Sequence, residues 1–135
     1  IDVAISIAKE KNIKAIKLNV SAPFHCKYMI KTAEDLKVKF SDLKFKKPII
    51  PIICNYTAEV FKDVDQLKSA LIHQTYSTVR WYESICLMLE KGTVSFIEVG
   101  YGSTLINMIK RIKSNKKFET FAISNTENIE SYSKA

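Results

Sequence analysis

His25 is the residue of this chain best placed to move a proton. It ends the segment SAPFH, residues 21–25, which directly follows a predicted strand. Loops at the carboxyl ends of strands are where α/β folds place their sites. A neutral imidazole in such a loop could take a proton from a hydroxyl or thiol nucleophile. The alternative is a loop histidine that only bonds to a backbone carbonyl.

The other candidate ligands lack a supporting pattern. Cys26 lies beside His25, but adjacent side chains diverge along an extended chain, which argues against a Cys–His dyad. His73 could form a metal site with His25 and a cysteine, yet nothing in the sequence brings them together. The 3 cysteines are widely spaced and form no C-x-x-C pair, which indicates reduced thiols rather than a zinc knuckle. The sequence therefore predicts no metal site.

No nucleophile motif accompanies the histidine. The only glycines are Gly92, Gly100 and Gly102, so the G-x-S-x-G elbow of α/β hydrolases does not occur. The turn at residues 100–103 precedes a predicted helix and could hold an anion on its backbone N–H groups. It lacks the third glycine and the lysine of phosphate-loop motifs, and a tight strand-to-helix turn explains it equally well. The chain could supply a base but not the group that the base would activate.

An alternation of helices and strands must position these residues. Helices are predicted over residues 1–11, 29–40, 65–74, 81–91 and 104–113. Strands are predicted over residues 13–20, 49–54, 94–99 and 118–123, the second of them starting after Pro51. Asp63 or Asp65 is expected to cap the third helix, Gly92 to end the fourth and Ser103 to cap the fifth. This order predicts an α/β fold with a parallel sheet.

Composition excludes several classes of protein. The 135 residues are 47% hydrophobic and 26% charged, which suits one globular domain and neither a disordered segment nor a membrane protein. The longest apolar run, residues 49–54, is far shorter than the roughly 20 residues that span a bilayer. We therefore expect no contact with a membrane.

Positive charge predicts an acidic partner. Lys and Arg number 21 against 14 for Asp and Glu, which gives a net charge of +7. Only Arg80 and Arg111 are arginines, so the excess is not specific for nucleic acid. A basic run at the end of the fifth predicted helix contains Lys110, Arg111 and Lys113, followed by Lys116 and Lys117. Cations favour helix carboxyl ends in any case, so this run is either a local stabiliser or a docking patch.

Four segments follow one another in the order and spacing of a known enzyme family. They are LNVSAPFHC at residues 18–26, PIICN at 51–55, HQTYSTVRW at 73–81 and FIEVGYGSTL at 96–105. Together they resemble the carboxyl-terminal part of malonyl-coenzyme A:acyl carrier protein transacylases. The first is similar to the histidine motif of that family. The last resembles its E-V/I-G-P-G-x-x-L turn, with Tyr101 where the family usually has proline.

The resemblance implies a role for five residues. His25 matches the catalytic histidine, which activates a serine and later protonates the leaving thiolate. Gln74 matches the residue whose backbone carbonyl accepts from the histidine ring N–H, as the aspartate does in a serine–histidine–aspartate triad. Phe24 matches a position where an aromatic ring goes with malonyl rather than branched acyl groups. Lys110 and Arg111 match a basic pair on a helix that faces the carrier protein.

The implied reaction belongs to type II fatty-acid biosynthesis. It is a ping-pong transfer of malonyl from malonyl-CoA to the phosphopantetheine thiol of acyl carrier protein, through a malonyl-serine ester. The serine of the family's G-H-S-x-G motif, its oxyanion-hole glutamine and its carboxylate-binding arginine all match positions before Ile1. We therefore expect a fragment that is inactive alone, from a parent acyltransferase that is a monomer. No cofactor is implied beyond the two thioester substrates.

The implied fold has two parts. Residues 1–19 match the last helix and strand of a ferredoxin-like small subdomain, and residues 20–135 match the carboxyl-terminal half of an α/β hydrolase-like large subdomain. Apolar surface should be exposed where the remaining half packs. The implied compartment is the cytoplasm if the source is bacterial, or else the stroma of a plastid or apicoplast, with a transit peptide before Ile1.

Two other functions stay open at this point. A non-catalytic basic module could dock acidic acyl carrier protein without transferring an acyl group. A small nucleic-acid binder would use aromatic rings to stack bases, and the candidates are Tyr76, Trp81, Tyr82 and Tyr101. These rings are not interleaved with arginine, which favours packing over base stacking.

Overall fold

The computed structural model describes residues 1–17, 20–61 and 63–132. Over these residues the chain forms helices α1 (Asp2–Glu10), α2 (Ile30–Ser41), α3 (Val64–His73), α4 (Trp81–Glu90), α5 (Thr104–Ile109) and α6 (Thr126–Tyr132). Its strands are β1 (Ser95–Val99) and β2 (Glu119–Ile123), and a 3-10 turn, Lys27–Met29, leads into α2. The arrangement is a mixed fold of helices and a small sheet.

The two strands pair in parallel, as predicted. Ser95 lies opposite Glu119 and Val99 lies opposite Ile123. Parallel strands need a crossover connection, which α5 provides. The alternation of helix and strand in the sequence therefore predicted the correct class of fold for residues 95–123, which contain β1, α5 and β2.

The main core forms where α4 and α5 pack on the sheet. Its buried side chains are Ile85, Leu89, Phe96, Ile106 and Ile109. Two of these, Ile85 and Leu89, lie four residues apart and so share one face of α4. Half-buried side chains such as Trp81 and Phe118 pack around this cluster. Burial of this apolar surface fixes α4, β1 and α5 relative to one another.

Several predicted helix ends are confirmed. The Asp63 carboxylate accepts from the backbone N–H of Gln66 at 2.8 Å and so caps α3. Gly92, which follows α4, has a φ of +91°, a value that side chains disfavour and glycine tolerates. Beyond α1, which ends at Glu10 and is capped by Lys11, Asn12 has a φ of +55°. Ser103 precedes α5, but its side chain makes no capping bond.

The strand predicted at residues 49–54 is wrong. Only one isolated antiparallel bridge forms there among the described residues, between Ile53 and Val60. Pro51 cannot donate to a ladder, and Ile49 and Ile50 are exposed. The strand predicted at residues 13–20 is also not found at residues 13–17 or 20, while Leu18 and Asn19 lie outside the described residues.

Other boundaries differ less. The helix predicted at residues 104–113 ends at Ile109, and α6 forms after the last predicted strand, where no helix was predicted. The strand predicted at 94–99 is buried on one face only, because Phe96 packs into the core while Val99 is 79% exposed. A two-stranded sheet covered on one side leaves its alternate residues in solvent.

Candidate active site

His25 stands in a loop with an unusual backbone conformation. Its φ is +60°, in the left-handed region that residues with a side chain rarely adopt. The preceding residues turn tightly, since the Phe24 N–H donates to the Ala22 carbonyl at 2.9 Å. Non-glycine residues held in this conformation cluster at functional sites, where the surrounding structure maintains them.

Two hydrogen bonds maintain His25 in this conformation. Its backbone N–H donates to the Thr75 carbonyl at 3.1 Å. Its ring Nδ1 lies 2.9 Å from the Gln74 carbonyl oxygen. The backbone and the side chain of one residue thus bind consecutive carbonyls at the carboxyl end of α3, which fixes both the position of the loop and the plane of the ring.

The Gln74 contact determines the tautomer of the ring. A carbonyl oxygen only accepts, so Nδ1 carries the hydrogen and donates it. In the neutral imidazole Nε2 then keeps its lone pair. His25 is an exposed residue. A proton-free nitrogen on a ring of fixed orientation has the geometry of a general base.

Cys26 does not share in this arrangement. Its thiol donates to the Pro23 carbonyl at 3.0 Å, within the same loop. The thiol hydrogen therefore points to the backbone, as the divergence of adjacent side chains predicts. Cys26 also precedes the 3-10 turn, where the Met29 N–H donates to its carbonyl at 2.9 Å.

His73 has a structural environment. Its Nδ1 donates to the Ser69 carbonyl at 2.7 Å, one turn back in α3. Its ring stacks on Tyr56 with centroids 5.6 Å apart and lies at the same distance from Tyr76. In the described part of the chain no three acidic, histidine or cysteine side chains are grouped as a metal site. The bonding of His73 matches a packed histidine rather than a ligand.

The loop that carries the Gln74 and Thr75 carbonyls is anchored at Arg80. The Arg80 N–H donates to the Asn55 carbonyl at 2.6 Å, and its Nη1 donates to the Thr57 carbonyl at 2.8 Å. Its Nε pairs with Glu83 at 3.1 Å. The backbone N–H of Glu83 and the Arg80 guanidinium lower the pKa of the Glu83 carboxyl below its ordinary value.

Phe24 lies next to the histidine and is 56% exposed. A large aromatic ring on the surface beside a candidate base can form part of a substrate wall. The position agrees with the role in acyl selection that the family resemblance implies, and that role stays a prediction.

The turn at residues 100–103 leads into α5. The backbone N–H groups of Leu105 and Ile106, in the first turn of that helix, are not free to bind an anion. The Glu98 carboxylate accepts from Leu105 N at 3.2 Å and from Ile106 N at 2.9 Å. An acidic side chain of β1 therefore occupies the amino end of α5, where a negative charge is stabilising. The interpretation as a tight strand-to-helix turn fits this arrangement.

The basic pair lies just beyond α5. Lys110 directly follows the last helical residue, Ile109, and the N–H of Arg111 donates to the Met108 carbonyl. Both are exposed. Lys116 is different, because its Nζ donates to the Leu89 carbonyl at 2.6 Å and so binds the carboxyl end of α4. The basic run thus contains one structural cation and an exposed pair that is accessible to a partner.

Sequence reasoning missed three contributors to this region. The Thr75 carbonyl could not be found, because a backbone acceptor has no residue signature. Arg80 was noted only for its charge. Glu98 was noted only within a motif, although a carboxylate a few residues before a predicted helix start is a signal for capping.

No helix in the described residues is long and apolar enough to cross a bilayer.

Fold and site together define a class: an α/β unit that presents an oriented, exposed histidine at a loop. No family model matches the chain. The chain is 38% identical over 131 residues to the malonyl CoA-acyl carrier protein transacylase of Bacillus subtilis, covering 96% of this chain and 41% of that protein. It is 35% identical over 125 residues to the enzyme of the same name from Buchnera aphidicola, covering 92% of this chain and 38% of that protein.

Solved structures agree with the sequence relatives. The transacylase of Clostridium perfringens superposes with a TM-score of 0.86 at 29% identity, covering 98% of this chain and 42% of that chain. The Acinetobacter baumannii protein gives a TM-score of 0.87 at 32% identity, covering 97% and 41%. The resemblance predicted from four motifs is confirmed: this chain is a homologue of the malonyl CoA-acyl carrier protein transacylases. It spans about 41% of the length of the Bacillus subtilis relative.

Proposed function

We propose that this chain is the carboxyl-terminal, histidine-bearing part of an acyltransferase that moves malonyl from malonyl-CoA to acyl carrier protein. The observation that carries the proposal is the 2.9 Å contact between His25 Nδ1 and the Gln74 carbonyl, with the ring exposed. It supplies the orientation and tautomer that a base needs. The relatives support the choice of reaction.

In this proposal the nucleophile is a serine outside the chain. His25 Nε2 takes the proton of the serine hydroxyl as its oxygen attacks the thioester carbonyl. The C–S bond then breaks, and the imidazolium returns the proton to the coenzyme A thiolate, which leaves a malonyl-serine ester. In the second half-reaction Nε2 takes the proton of the phosphopantetheine thiol. The thiolate attacks the ester, and the proton goes to the departing serine oxygen.

The Gln74 contact is compatible with both states of the ring in this cycle. Nδ1–H donates to the carbonyl in the neutral imidazole and still donates to it when Nε2 has taken a proton. The contact therefore keeps the ring in one orientation throughout the cycle. Its role parallels that of the triad aspartate, with a backbone dipole in place of a carboxylate.

The apolar exposure of the chain supports packing against a further part of the same enzyme. Large apolar side chains are left in solvent on the face of β1 away from the core and in the segment before Cys54, among them Ile49, Ile50, Ile97 and Val99. Soluble proteins rarely leave such surfaces uncovered. The proposal retains the division into residues 1–19 of a ferredoxin-like subdomain and residues 20–135 of an α/β hydrolase-like one.

The proposed partner is an acyl carrier protein. One solved neighbour, a malonyl-transacylase in complex with a type II polyketide acyl-carrier protein, has a TM-score of 0.86 and 28% identity, covering 96% of this chain and 42% of that chain. The exposed Lys110 and Arg111 offer positive charge to such an acidic partner. We expect the enzyme to work in the bacterial cytoplasm or in a plastid stroma.

The test is a chimera in which this chain replaces the matching segment of the Bacillus subtilis transacylase. Malonyl-CoA and phosphopantetheinylated acyl carrier protein are mixed with it, and the mass of the carrier is measured. The expected result is a malonyl adduct on the carrier and a malonyl ester on the chimera. A folded chimera that forms neither contradicts the proposal. The isolated chain should form no adduct, and a stable one would contradict its dependence on an external serine.

A non-catalytic docking module is the second candidate, and the exposed basic pair favours it. It differs from the enzyme in one outcome: the isolated chain would bind acyl carrier protein in a salt-dependent manner, while the chimera would transfer no malonyl group. Isothermal titration of carrier into the chain at two salt concentrations, beside the transfer assay, separates the two.

A further inference from the structure

We propose that Arg80 is a positioning residue for the histidine. It anchors the far end of the loop whose near end supplies the Gln74 and Thr75 carbonyls, and so keeps the His25 imidazole in one tautomer and one orientation. The proposal deepens the proposed acyl transfer and rests on it for its kinetic consequence. Its structural consequence, the state of the His25 ring, is independent of that function.

The near end of the loop is tied to α3. The Gln74 N–H donates to the Ala70 carbonyl at 2.9 Å, and the Thr75 hydroxyl donates to the Ile72 carbonyl at 2.8 Å. The N–H of Ser77 returns to the His73 carbonyl at 3.1 Å. These bonds continue the helix direction but do not connect the loop to any other element. On their own they leave the loop free to move with the end of α3.

The far end is tied to a different part of the fold. Arg80 donates from its backbone to the Asn55 carbonyl and from Nη1 to the Thr57 carbonyl. These carbonyls lie on a turn closed by two backbone bonds, from Ala58 N to Cys54 O at 2.8 Å and from Cys54 N to Glu59 O at 3.2 Å. Cys54 and Ala58 are both buried. These bonds and this burial fix the turn in position, and the Arg80 guanidinium binds to it.

Arg80 is also the residue that precedes α4. Its carbonyl accepts from Ser84 N at 3.0 Å and from Ser84 Oγ at 2.8 Å, and Ser84 is buried. The next residue, Ile85, is the most deeply buried side chain of the core. One residue thus joins the turn, the loop and the core helix, and the loop runs from this junction directly back to the two carbonyls that hold His25.

The guanidinium makes bonds that lysine cannot copy. Nε pairs with Glu83 while Nη1 bonds to Thr57, so the planar group spans an acceptor on α4 and one on the turn. An ammonium group is a point donor without this fixed fork. Arg80→Lys therefore keeps the charge and removes the two-sided connection, whereas Glu83→Gln keeps the Thr57 bond and weakens only the ion pair.

The experiment uses the chimera with ¹⁵N-labelled histidine and the variants R80A, R80K and E83Q. In the parent chimera the His25 ring should show one tautomer with hydrogen on Nδ1 in ¹⁵N NMR spectra. In R80A and R80K we expect a mixture of tautomers and a kcat reduced about 10- to 100-fold, the scale of a displaced catalytic group, with KM for malonyl-CoA within about threefold. E83Q should stay within about threefold of the parent in both constants.

The outcomes separate this proposal from the proposed function. A folded R80K with an unchanged tautomer and an unchanged kcat would overturn the proposed role of Arg80. If R80A does not fold, R80K is the variant that decides. If E83Q lost as much thermal stability and activity as R80K, the Arg80–Glu83 ion pair would have a merely structural role. That result would also overturn the proposed role of Arg80. A parent chimera that shows the tautomer but transfers no malonyl contradicts the acyl transfer, while the NMR comparison still tests Arg80.

Discussion

His25 and Gln74, which lie 49 positions apart in the sequence, are joined by a side-chain-to-backbone hydrogen bond of 2.9 Å. Because the acceptor is a peptide carbonyl, its position depends on the path of the loop after α3 and not on the side chain at position 74. The orientation of the candidate base is therefore a property of the fold. This dependence explains why the contacts that fix the loop are as important as the histidine itself.

Replacement of His25 should remove the acid–base step without unfolding the protein. In the chimera, His25→Ala is expected to lower kcat/KM for malonyl transfer by about 100- to 10,000-fold, the usual contribution of general acid–base catalysis. The side chain is exposed and the backbone bond from residue 25 to the Thr75 carbonyl is kept, so the thermal midpoint should change little. Steady-state transfer assays and thermal unfolding followed by circular dichroism measure the two effects.

The matched control is the other histidine of the chain. His73→Gln removes an imidazole that bonds to Ser69 and stacks on Tyr56. It should cost stability rather than catalysis, with kcat/KM within about threefold of the parent. A larger loss of activity in His73→Gln than in His25→Ala would show that His25 is not the catalytic base.

Phe24 should influence which acyl group is accepted. A smaller side chain beside His25 would leave room for a methyl branch, and one methyl group is worth about 10- to 200-fold in selectivity. Phe24→Ala is expected to shift the ratio of kcat/KM for methylmalonyl-CoA to that for malonyl-CoA upward by about tenfold. Competition between the two thioesters, read from the mass of the carrier adducts, gives this ratio directly.

A matched control for Phe24 is Tyr28, which is a comparably exposed aromatic residue farther along the same segment. Tyr28→Ala should leave the preference between the two thioesters unchanged. An unaltered ratio in Phe24→Ala would exclude the ring as part of the acyl pocket wall.

The sequence was sufficient for the parts of the fold with local signals. Asp63 and Gly92 mark helix ends by chemistry that acts within a few residues. Gly92 was located correctly, and Asp63 is one of the two candidate caps that the sequence offered. The alternation of elements predicted the parallel pairing of β1 and β2. The segment at residues 49–54 misled because β-branched residues favour a strand only where a partner strand is present to pair with them.

The site could be predicted only in part, for a similar reason. A histidine after a strand is visible in the sequence, and its motif linked it to Gln74. The second carbonyl, at Thr75, and the anchoring by Arg80 depend on backbone atoms brought together across the fold, which leave no pattern of residue types. The positive φ of His25, which accompanies its two hydrogen bonds to carbonyls 49 and 50 positions away, likewise cannot be found from local residue types.

The basic pair should act on the second half-reaction only. Reversing charge at Lys110 and Arg111 is expected to raise KM for acyl carrier protein by about tenfold, since opposite charges across a contact steer association and like charges oppose it. The rate at which malonyl-CoA acylates the enzyme should stay the same. Stopped-flow acylation and carrier titrations at low and high salt separate the two steps.

The control for net charge is the double reversal of Lys31 and Lys37 on the exposed side of α2. It lowers the net charge by the same four units but lies on another element. If both double variants weaken carrier binding equally, the effect comes from overall charge and not from a docking site next to α5.

The ion pair between Arg80 and Glu83 should weaken in acid. The folded-state pKa of Glu83 is lowered, so its contribution to stability is present above the ordinary pKa of the group. That contribution is lost as the pH falls through the folded-state pKa, where the carboxylate is protonated. The difference in thermal midpoint between the parent chimera and Glu83→Gln should therefore shrink as the pH falls from neutral to below the ordinary pKa of a glutamate carboxyl. A difference that grows toward acid would contradict this sign.

Glu98 should stabilise the chain by capping α5 from the neighbouring strand. Its carboxylate accepts two N–H groups, and loss of a helix cap costs about 0.5 to 2 kcal/mol. Glu98→Ala is expected to lower the thermal midpoint by a few degrees, and Glu98→Gln by less, because an amide oxygen still accepts one bond. Glu34→Ala, on the exposed surface of α2, is the matched control and should be near neutral.

Because Lys110 lies at the other end of the same short helix, Glu98→Ala should also raise KM for the carrier while acylation by malonyl-CoA is retained. A fall in stability without any change in carrier binding would show that the position of the basic pair does not depend on this cap.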